Sequence, residues 1–406
     1  MQSNYKRKHS SNSQFQTPLR WWYGFALRYQ DGFKGKKEEY VLSQFHFPLP
    51  GSLLYNSFDK NIIRHNGYIV QLVLRNRSYA IIPESIYYLK ELKIFSAEGN
   101  ALFPITYLPG SICQCIHLTE INIPSQLLNA IPDSIGNLLQ LEKLNFEKNK
   151  LTAIPESIGN LILLRELNVS GNQLSSLPES IILLTKLEKL FLNQNNLTVI
   201  PDSIGNLILL TELNLGKNQL TVIPDSIGKI KYLSKLFIDH NQLIELPSKI
   251  INLTQLREID LSNNQLVNLP LWINHQLLKL LDMSFNMITI IPDAIWRLKV
   301  EYLDISNNQI TIVPTKMFHM KANYINISNN RITELPLSVK KKTVSIKYLN
   351  LSNNQLTTLP SYIMHWKKFR GINVSNNQIS WIPEEFYTIQ RLYEFKISNN
   401  PILLPK

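Results

Sequence analysis

The sequence predicts an α/β fold of solenoid type. About fifteen coils stack into a curved horseshoe, with a parallel β-sheet on the concave face and short turns or single helical turns on the convex face. Three observations predict it. Leucines recur at fixed spacing, an asparagine marks the same place in unit after unit, and an L/I-P pair opens the second half of each unit. Internal repeats of this size mark architectures in which no unit buries its own apolar face and neighbours complete the core.

The period is read from Leu141, Leu164 and Leu187, which open LEKLNFEKNKLTAIPESIGNLIL, LRELNVSGNQLSSLPESIILLTK and LEKLFLNQNNLTVIPDSIGNLIL. The unit is 23 residues, L-x-x-L-x-L-x-x-N-x-L-x-x-[IL]-P-x-x-I-x-x-L-x-x. Asn149, Asn172, Asn195, Asn218, Asn241 and Asn264 keep the 23-residue step. Asn286, Asn308 and Asn330 follow at steps of 22, then Asn354, Asn377 and Asn400. Upstream, Gln126, Asn100 and Arg77 occupy the slot, so the first units are expected to be the least regular.

Each letter has a physical reason. The L-x-L segment has period two, so it reads as a short strand with one face in the core. Leu144 and Phe146, or Leu213 and Leu215, point inward. Fifteen such strands at the usual spacing give a sheet of roughly 65–70 Å. The asparagine amide both donates and accepts, so it satisfies backbone groups where the chain leaves the strand. Stacked, these residues form a structural ladder from Asn149 to Asn377. The proline fixes φ and lacks an N–H, which suits the start of the convex return. The segment after it is too short for a long helix, and Ile135, Ile158, Ile204 and Ile227 are expected to face inward. Such thin return segments predict a shallow arc.

The string resembles leucine-rich repeats of the 23-residue class with L/I-P-x-x-I in the second half. It is most similar to the intracellular Ras-suppressor-type and plant Ras-group-related repeats, and to the arrays of many bacterial proteins, secreted effectors among them. The resemblance covers about five-sixths of the chain. It implies a protein-binding scaffold, with small GTPases, phosphatases or other signalling proteins as partners, and no residue selects among these. A C-terminal ubiquitin-ligase domain, found in some bacterial relatives, is not expected, because the repeats run to the last residues.

Three regions are expected. Residues 1–39 form a basic tail with an aromatic cluster at Trp21, Trp22, Tyr23, Phe25 and Tyr29; residues 40–68, with Phe45, Phe47, Leu53, Leu54, Tyr55 and Ile62, cap the first coil; residues 69–406 are the solenoid. The tail reads as a partly disordered segment or as a short recognition or membrane-surface element. Only Cys113 and Cys115 occur, too few for a secreted disulfide scaffold or a zinc site. No cleavable signal peptide and no transmembrane run are found. The expected location is the cytoplasm, or a host cell reached through a specialised secretion system. Seven Asn-x-Ser/Thr sequons, such as Asn168 and Asn326, would crowd the repeat surface if glycosylated, which favours a chain that never meets the eukaryotic secretory pathway.

The formal net charge is +12, concentrated in two places. Residues 1–65 carry 10 Lys+Arg against 4 Asp+Glu, and residues 331–370 carry 8 against 1, leaving about −1 elsewhere. The Lys340, Lys341, Lys342 run and the N-terminal KRK support an alternative reading as a binder of nucleic acid or anionic membrane. They fall at the rim of the sheet or outside it, and the mixed signs on the concave face argue against a nucleic-acid partner.

The outward strand positions form columns. One column reads Glu120, Lys143, Glu166, Lys189, Glu212, Lys235 and Glu258, an alternating ladder in which exposed pairs contribute little each. It then changes to Leu280, Tyr302, Tyr324 and Tyr348. The adjacent column carries Asp260, Asp282 and Asp304, followed by Asn326 and Asn350. Asp and Asn there suit local hydrogen bonding, whereas a row of tyrosines on a solvated face has no such structural reason. Tyrosine and arginine are enriched in binding hot spots. The expected partner site is therefore Tyr302, Tyr324 and Tyr348 with Asp282, Asp304, Lys347 and Arg370, and with the outward Phe191 and Phe237.

No G-x-S-x-G, H-E-x-x-H, phosphate-cradling loop or G-x-G-x-x-G occurs. His240, placed on the concave side, and His275, His319 and His365 are scattered without ligand spacing. The chain is expected to be a monomeric, non-enzymatic module with no cofactor and no metal.

Overall fold

A computed structural model describes residues 36–45, 62–74, 81–98, 104–269, 277–339, 344–388 and 392–402. Several expectations lie outside these residues: the cluster from Trp21 to Tyr29, the apolar residues Phe47, Leu53, Leu54 and Tyr55, the register positions Arg77 and Asn100, and the Lys340–Lys342 run.

Among the described residues, sixteen strands form one sheet in chain order, from β1 (Ile62–His65) and β2 (Tyr68–Leu74) to β15 (Gly371–Asn373) and β16 (Glu394–Lys396). β1 and β2 make an antiparallel hairpin turned by Asn66 and Gly67, both at positive φ. From β2 onward every strand pairs in parallel with the next. This is the curved solenoid expected from the repeat. Ahead of the hairpin, helix α1 (Lys36–Gln44) packs Val41 and Leu42 into the core, with Phe45 just after it. Glu38 on this helix accepts the Ile69 N–H at 3.1 Å and pairs with Arg64, tying α1 to the hairpin. The helix therefore starts inside the segment read as tail.

Each coil turns out of its strand in the same way. The residue before the ladder asparagine is left-handed, as at Lys148, Gln194, Lys217, Asn263, Asn307 and Asn353. The asparagine then joins neighbouring coils. Asn218 Nδ2 donates to Leu192 O of the preceding coil and to Leu215 O, each at 3.0 Å, while its Oδ1 accepts the Leu197 N–H at 3.0 Å. The pattern repeats from Asn149 to Asn400. At the irregular start, Gln126 Oε1 accepts from Ile105 N at 2.8 Å, so the longer amide substitutes for asparagine.

Most convex returns among the described residues are five-residue 3-10 segments such as Asp133–Asn137 and Asp202–Asn206, each opened by a proline in extended conformation; the last carries a short α-helix, Glu385–Thr388. Ile135, Ile158, Ile204 and Ile227 are fully buried. A glycine at the next position lets successive returns pack closely: a Cβ on Gly205 would stand 2.5 Å from Ser226 O.

The shorter coils are built differently. β11 (Leu277–Asp282), β12 (Lys299–Asp304) and β13 (Lys321–Asn326) have six residues, against three in β10 (Glu258–Asp260) and β14 (Tyr348–Asn350). From the coil of Ile86 to that of Ile250 the residue closing the 3-10 segment turns, as Leu138 does at φ −83 and ψ 62. Leu298 is instead extended, at φ −65 and ψ 134, and runs straight into β12. Met320 is extended in the same way, and β12 and β13 lengthen at their N-terminal ends. These longer strands carry two of the three tyrosines.

No helix among the described residues is long and apolar enough to cross a membrane.

Candidate partner-binding face

The parallel register aligns the outward residues into the columns counted from the sequence. Glu120, Lys143, Glu166, Lys189, Glu212, Lys235, Glu258, Leu280, Tyr302, Tyr324 and Tyr348 are successive Cα partners, and Gly371 follows. The charged stretch resolves into pairs rather than a continuous ladder. Lys189 reaches Glu166 at 3.5 Å and Lys235 reaches Glu212 at 3.9 Å.

The tyrosines form a stack. The rings of Tyr302 and Tyr324 are 4.7 Å apart and 7° from parallel; those of Tyr324 and Tyr348 are 6.4 Å apart and tilted by 33°. All three residues are half-buried. Gly371 closes the row for a steric reason, since a Cβ there would lie 2.7 Å from Tyr348 Cδ1. Burial, then the Asp304 carboxylate, raise the Tyr302 hydroxyl well above its ordinary range; the same two causes raise Tyr324. Both remain neutral donors at any ordinary pH.

The aspartates beside them differ from one another. Asp304, 7% exposed, accepts from Ser306 N at 2.9 Å, Ser306 Oγ at 2.6 Å, Tyr302 OH at 3.1 Å and Asn326 Nδ2 at 2.8 Å. It braces the turn and the first tyrosine. Asp282 and Asp260 each accept a backbone N–H two residues ahead, from Ser284 and Ser262 at 2.9 Å. Burial pushes the Asp282 carboxyl up to about 6, against its bonds to Ser284, and the Asp304 and Asp260 charges add to the rise. Asp260 is raised as well, chiefly by burial. None of the ion pairs among the described residues involves these three aspartates.

The remaining expected residues are more dispersed. Phe191 and Phe237 are half-buried in the aspartate column's N-terminal continuation, separated by Asn214. Lys347 is exposed at the tyrosine end. Arg370 turns away from the tyrosines: its Nη1 donates to Phe369 O at 3.0 Å and its guanidinium lies over the Tyr393 ring, 5.9 Å from the centroid. His240 sits in the left-handed turn rather than on the strand, where its ring meets Asp239 at 3.0 Å.

Two residues were not singled out from the sequence. Phe285 occupies the left-handed turn position, at φ 53, with 54% of its surface exposed. It is the one apolar residue among the described positive-φ positions, where asparagine predominates. For a bulky side chain that conformation costs about 1–2 kcal/mol. Met287, exposed two residues on, stands in the same coil. The signal was available in the sequence: Ser-Asn-Asn at 262–264, 306–308 and 328–330 is replaced by Ser-Phe-Asn at 284–286.

The cysteines offer no chemistry here. Both are buried, and burial pushes the Cys115 thiol up to about 12, away from the thiolate a nucleophile needs. Among the described residues no group of three His, Cys, Asp or Glu is placed to hold a metal ion.

Coils of this length, closed by an asparagine ladder, define a leucine-rich-repeat solenoid, and known proteins bear this out. A family model described as a leucine-rich repeat region matches residues 128–239, and a second, described as leucine rich repeat, matches 254–310 and 321–379. A leucine-rich-repeat protein of Leptospira interrogans is 33% identical, with a TM-score of 0.72 over 79% of this chain and 82% of that one. The chain belongs to the leucine-rich-repeat proteins. It is also similar to the ectodomain of the Arabidopsis thaliana receptor kinase GASSHO1/SCHENGEN3, solved with Casparian strip integrity factor 2: 25% identity and TM-score 0.56, over 78% of this chain and 48% of that one. The internalin InlJ of Listeria monocytogenes shares the fold at 20% identity and TM-score 0.56, over 72% of this chain and 66% of that one. No curated protein sequence matches the chain.

Proposed function

We propose that this chain is a non-enzymatic, monomeric protein-binding module that holds its partner on the concave face, centred on Tyr302, Tyr324 and Tyr348. The observation that carries the reading is the tyrosine stack itself. Three half-buried rings stand on the outward side of the sheet and extend no core. Rigid aromatic area with a hydroxyl at its edge is what protein interfaces use as anchors. The solved complex of the similar Arabidopsis ectodomain supports use of this fold to hold a protein factor. The chain acts as an intracellular signalling scaffold or as a host-directed bacterial effector; the likeness to the Leptospira protein favours the bacterial setting.

The test is affinity capture from native and host lysates with the wild type and a Tyr302→Ala/Tyr324→Ala/Tyr348→Ala variant, with circular dichroism to check the fold. A correctly folded variant should lose the captured partner. Unchanged capture by that variant rules out this site.

A further inference from the structure

We infer that the partner presents a cationic side chain on an extended, apolar segment, which enters between the tyrosine stack and Asp282 and leaves over the sheet edge across Phe285 and Met287. This rests on the tyrosine reading above and gives the chemistry of what that site takes.

Charge comes first. Asp260, Asp282 and Asp304 are successive partners on three adjacent strands, so three carboxylates stand side by side. Like charges directly opposite one another on a sheet oppose folding. Asp304 is neutralised in part by four donors, but Asp282 has only Ser284 and Asp260 only Ser262. No lysine or arginine among the described residues pairs with any of them. Elsewhere on this face, Glu166 and Glu212 are matched by Lys189 and Lys235 of the same chain. His240 lies close enough to Asp260 to draw its carboxyl down, so Asp282, with no ion pair among the described residues, is the least compensated charge of the row. A guanidinium or ammonium group fits there twice over, pairing with the carboxylate of Asp282 and lying against the ring of Tyr302.

The path is the second argument. Phe285 keeps an exposed ring in a backbone conformation that favours asparagine, next in line between Asn263 and Asn307. Met287 is exposed beside it. Together they carry apolar surface from the Asp282 strand over its C-terminal edge, where neighbouring coils present Asn and Gln. A segment lying along this coil would place apolar side chains on Phe285 and Met287 while its cation reaches Asp282.

The chain's overall charge makes the test discriminating. At a net +12, long-range attraction favours acidic ligands, so preference for a basic one must arise locally. The probes are three labelled decapeptides alternating leucine with arginine, glutamine or glutamate, titrated against the full chain by fluorescence anisotropy. The arginine peptide should bind about tenfold or more tighter than the glutamine peptide, with the glutamate peptide weakest. Asp282→Asn should abolish the arginine preference, and Phe285→Asn should weaken the arginine and glutamine peptides alike. Equal binding of the three peptides, no binding of the arginine peptide, or an arginine preference that survives Asp282→Asn overturns the inference. The Tyr302→Ala/Tyr324→Ala/Tyr348→Ala variant separates the two readings. If it binds the arginine peptide normally while Asp282→Asn does not, the tyrosine site fails and with it the placement of the cation against Tyr302, leaving only the pairing with Asp282. If the tyrosines matter and the arginines do not, only the cation inference fails.

Discussion

Tyr302 donates its hydroxyl to Asp304 Oδ2 at 3.1 Å, two residues along the same strand, while its ring lies flat against Tyr324 on the next. One contact fixes the ring from its edge and the other from its face. The first member of the row is thereby oriented before any ligand arrives, which lowers the ordering cost of binding.

Removing that hydroxyl is the mildest test. Tyr302→Phe keeps the stack but takes one of four donors from a carboxylate that is nearly inaccessible. A loss of about 0.5–1.5 kcal/mol in urea denaturation is expected. No loss would mean the bond is not formed in solution.

Position in the array should grade the ladder. Asn218→Leu strands Leu192 O, Leu215 O and Leu197 N in a dry core. At roughly 1–3 kcal/mol per orphaned buried group, it should destabilise the chain by several kcal/mol in urea. Asn400→Leu should cost much less, because its bonds in the last coil are part-buried, to Ile397 O, or exposed, to Ser398 O. Equal costs would contradict the buried-ladder account.

Gly205 answers to sterics. A methyl group there would meet Ser226 O at 2.5 Å and Ser226 Cβ at 2.9 Å. Gly205→Ala should cost about 1–3 kcal/mol as adjacent returns are forced apart. Urea denaturation reads it, and an unchanged midpoint would show that the convex face has slack.

Asp282 sets a pH dependence. Burial holds its carboxyl at about 6 in the folded chain, against an ordinary 3.8. The folded state therefore binds the proton more tightly than the unfolded state between about pH 4 and 6. Stability from this group falls as pH rises through that window. Asp282→Asn keeps an acceptor for the Ser284 N–H and removes the charge facing Asp260 and Asp304. Its Tm should exceed that of the wild type at pH 7, with the gap closing towards pH 4. A constant gap would place the cause elsewhere.

Phe285→Asn should stabilise the free protein by about 1 kcal/mol, because asparagine accepts the left-handed turn. Thermal denaturation reads the gain. A drop in Tm would mean that the exposed ring packs usefully in the free chain.

The sequence made some of this legible and not the rest, for physical reasons. Period-two leucines and a fixed asparagine determine which residues enter the core, so counting from Asn264 to Asn330 places Tyr302 against Tyr324 without coordinates. The lengthened β12 and β13 were not visible, because they follow from the extended backbone at Leu298 and Met320, which hydropathy does not record. Arg370 was grouped with the tyrosines by proximity along the chain; its direction is decided by Tyr393, one coil further on. Phe285 was overlooked because the alternation of apolar and polar residues carries no information about φ, although its departure from Ser-Asn-Asn was in plain sight.

Each ladder amide bonds to the preceding coil and to the strand end of its own, and the Leu192, Leu215 and Leu197 groups served by Asn218 have counterparts from coil to coil. Genetic duplication or deletion of one whole turn would restore the same bonds across the new junction, and the coils of 22 and 24 residues that end at Asn286 and Asn354 keep them too. Such a gene can lengthen or shorten in whole-coil increments, sliding the aromatic row along the arc without redesigning the interior.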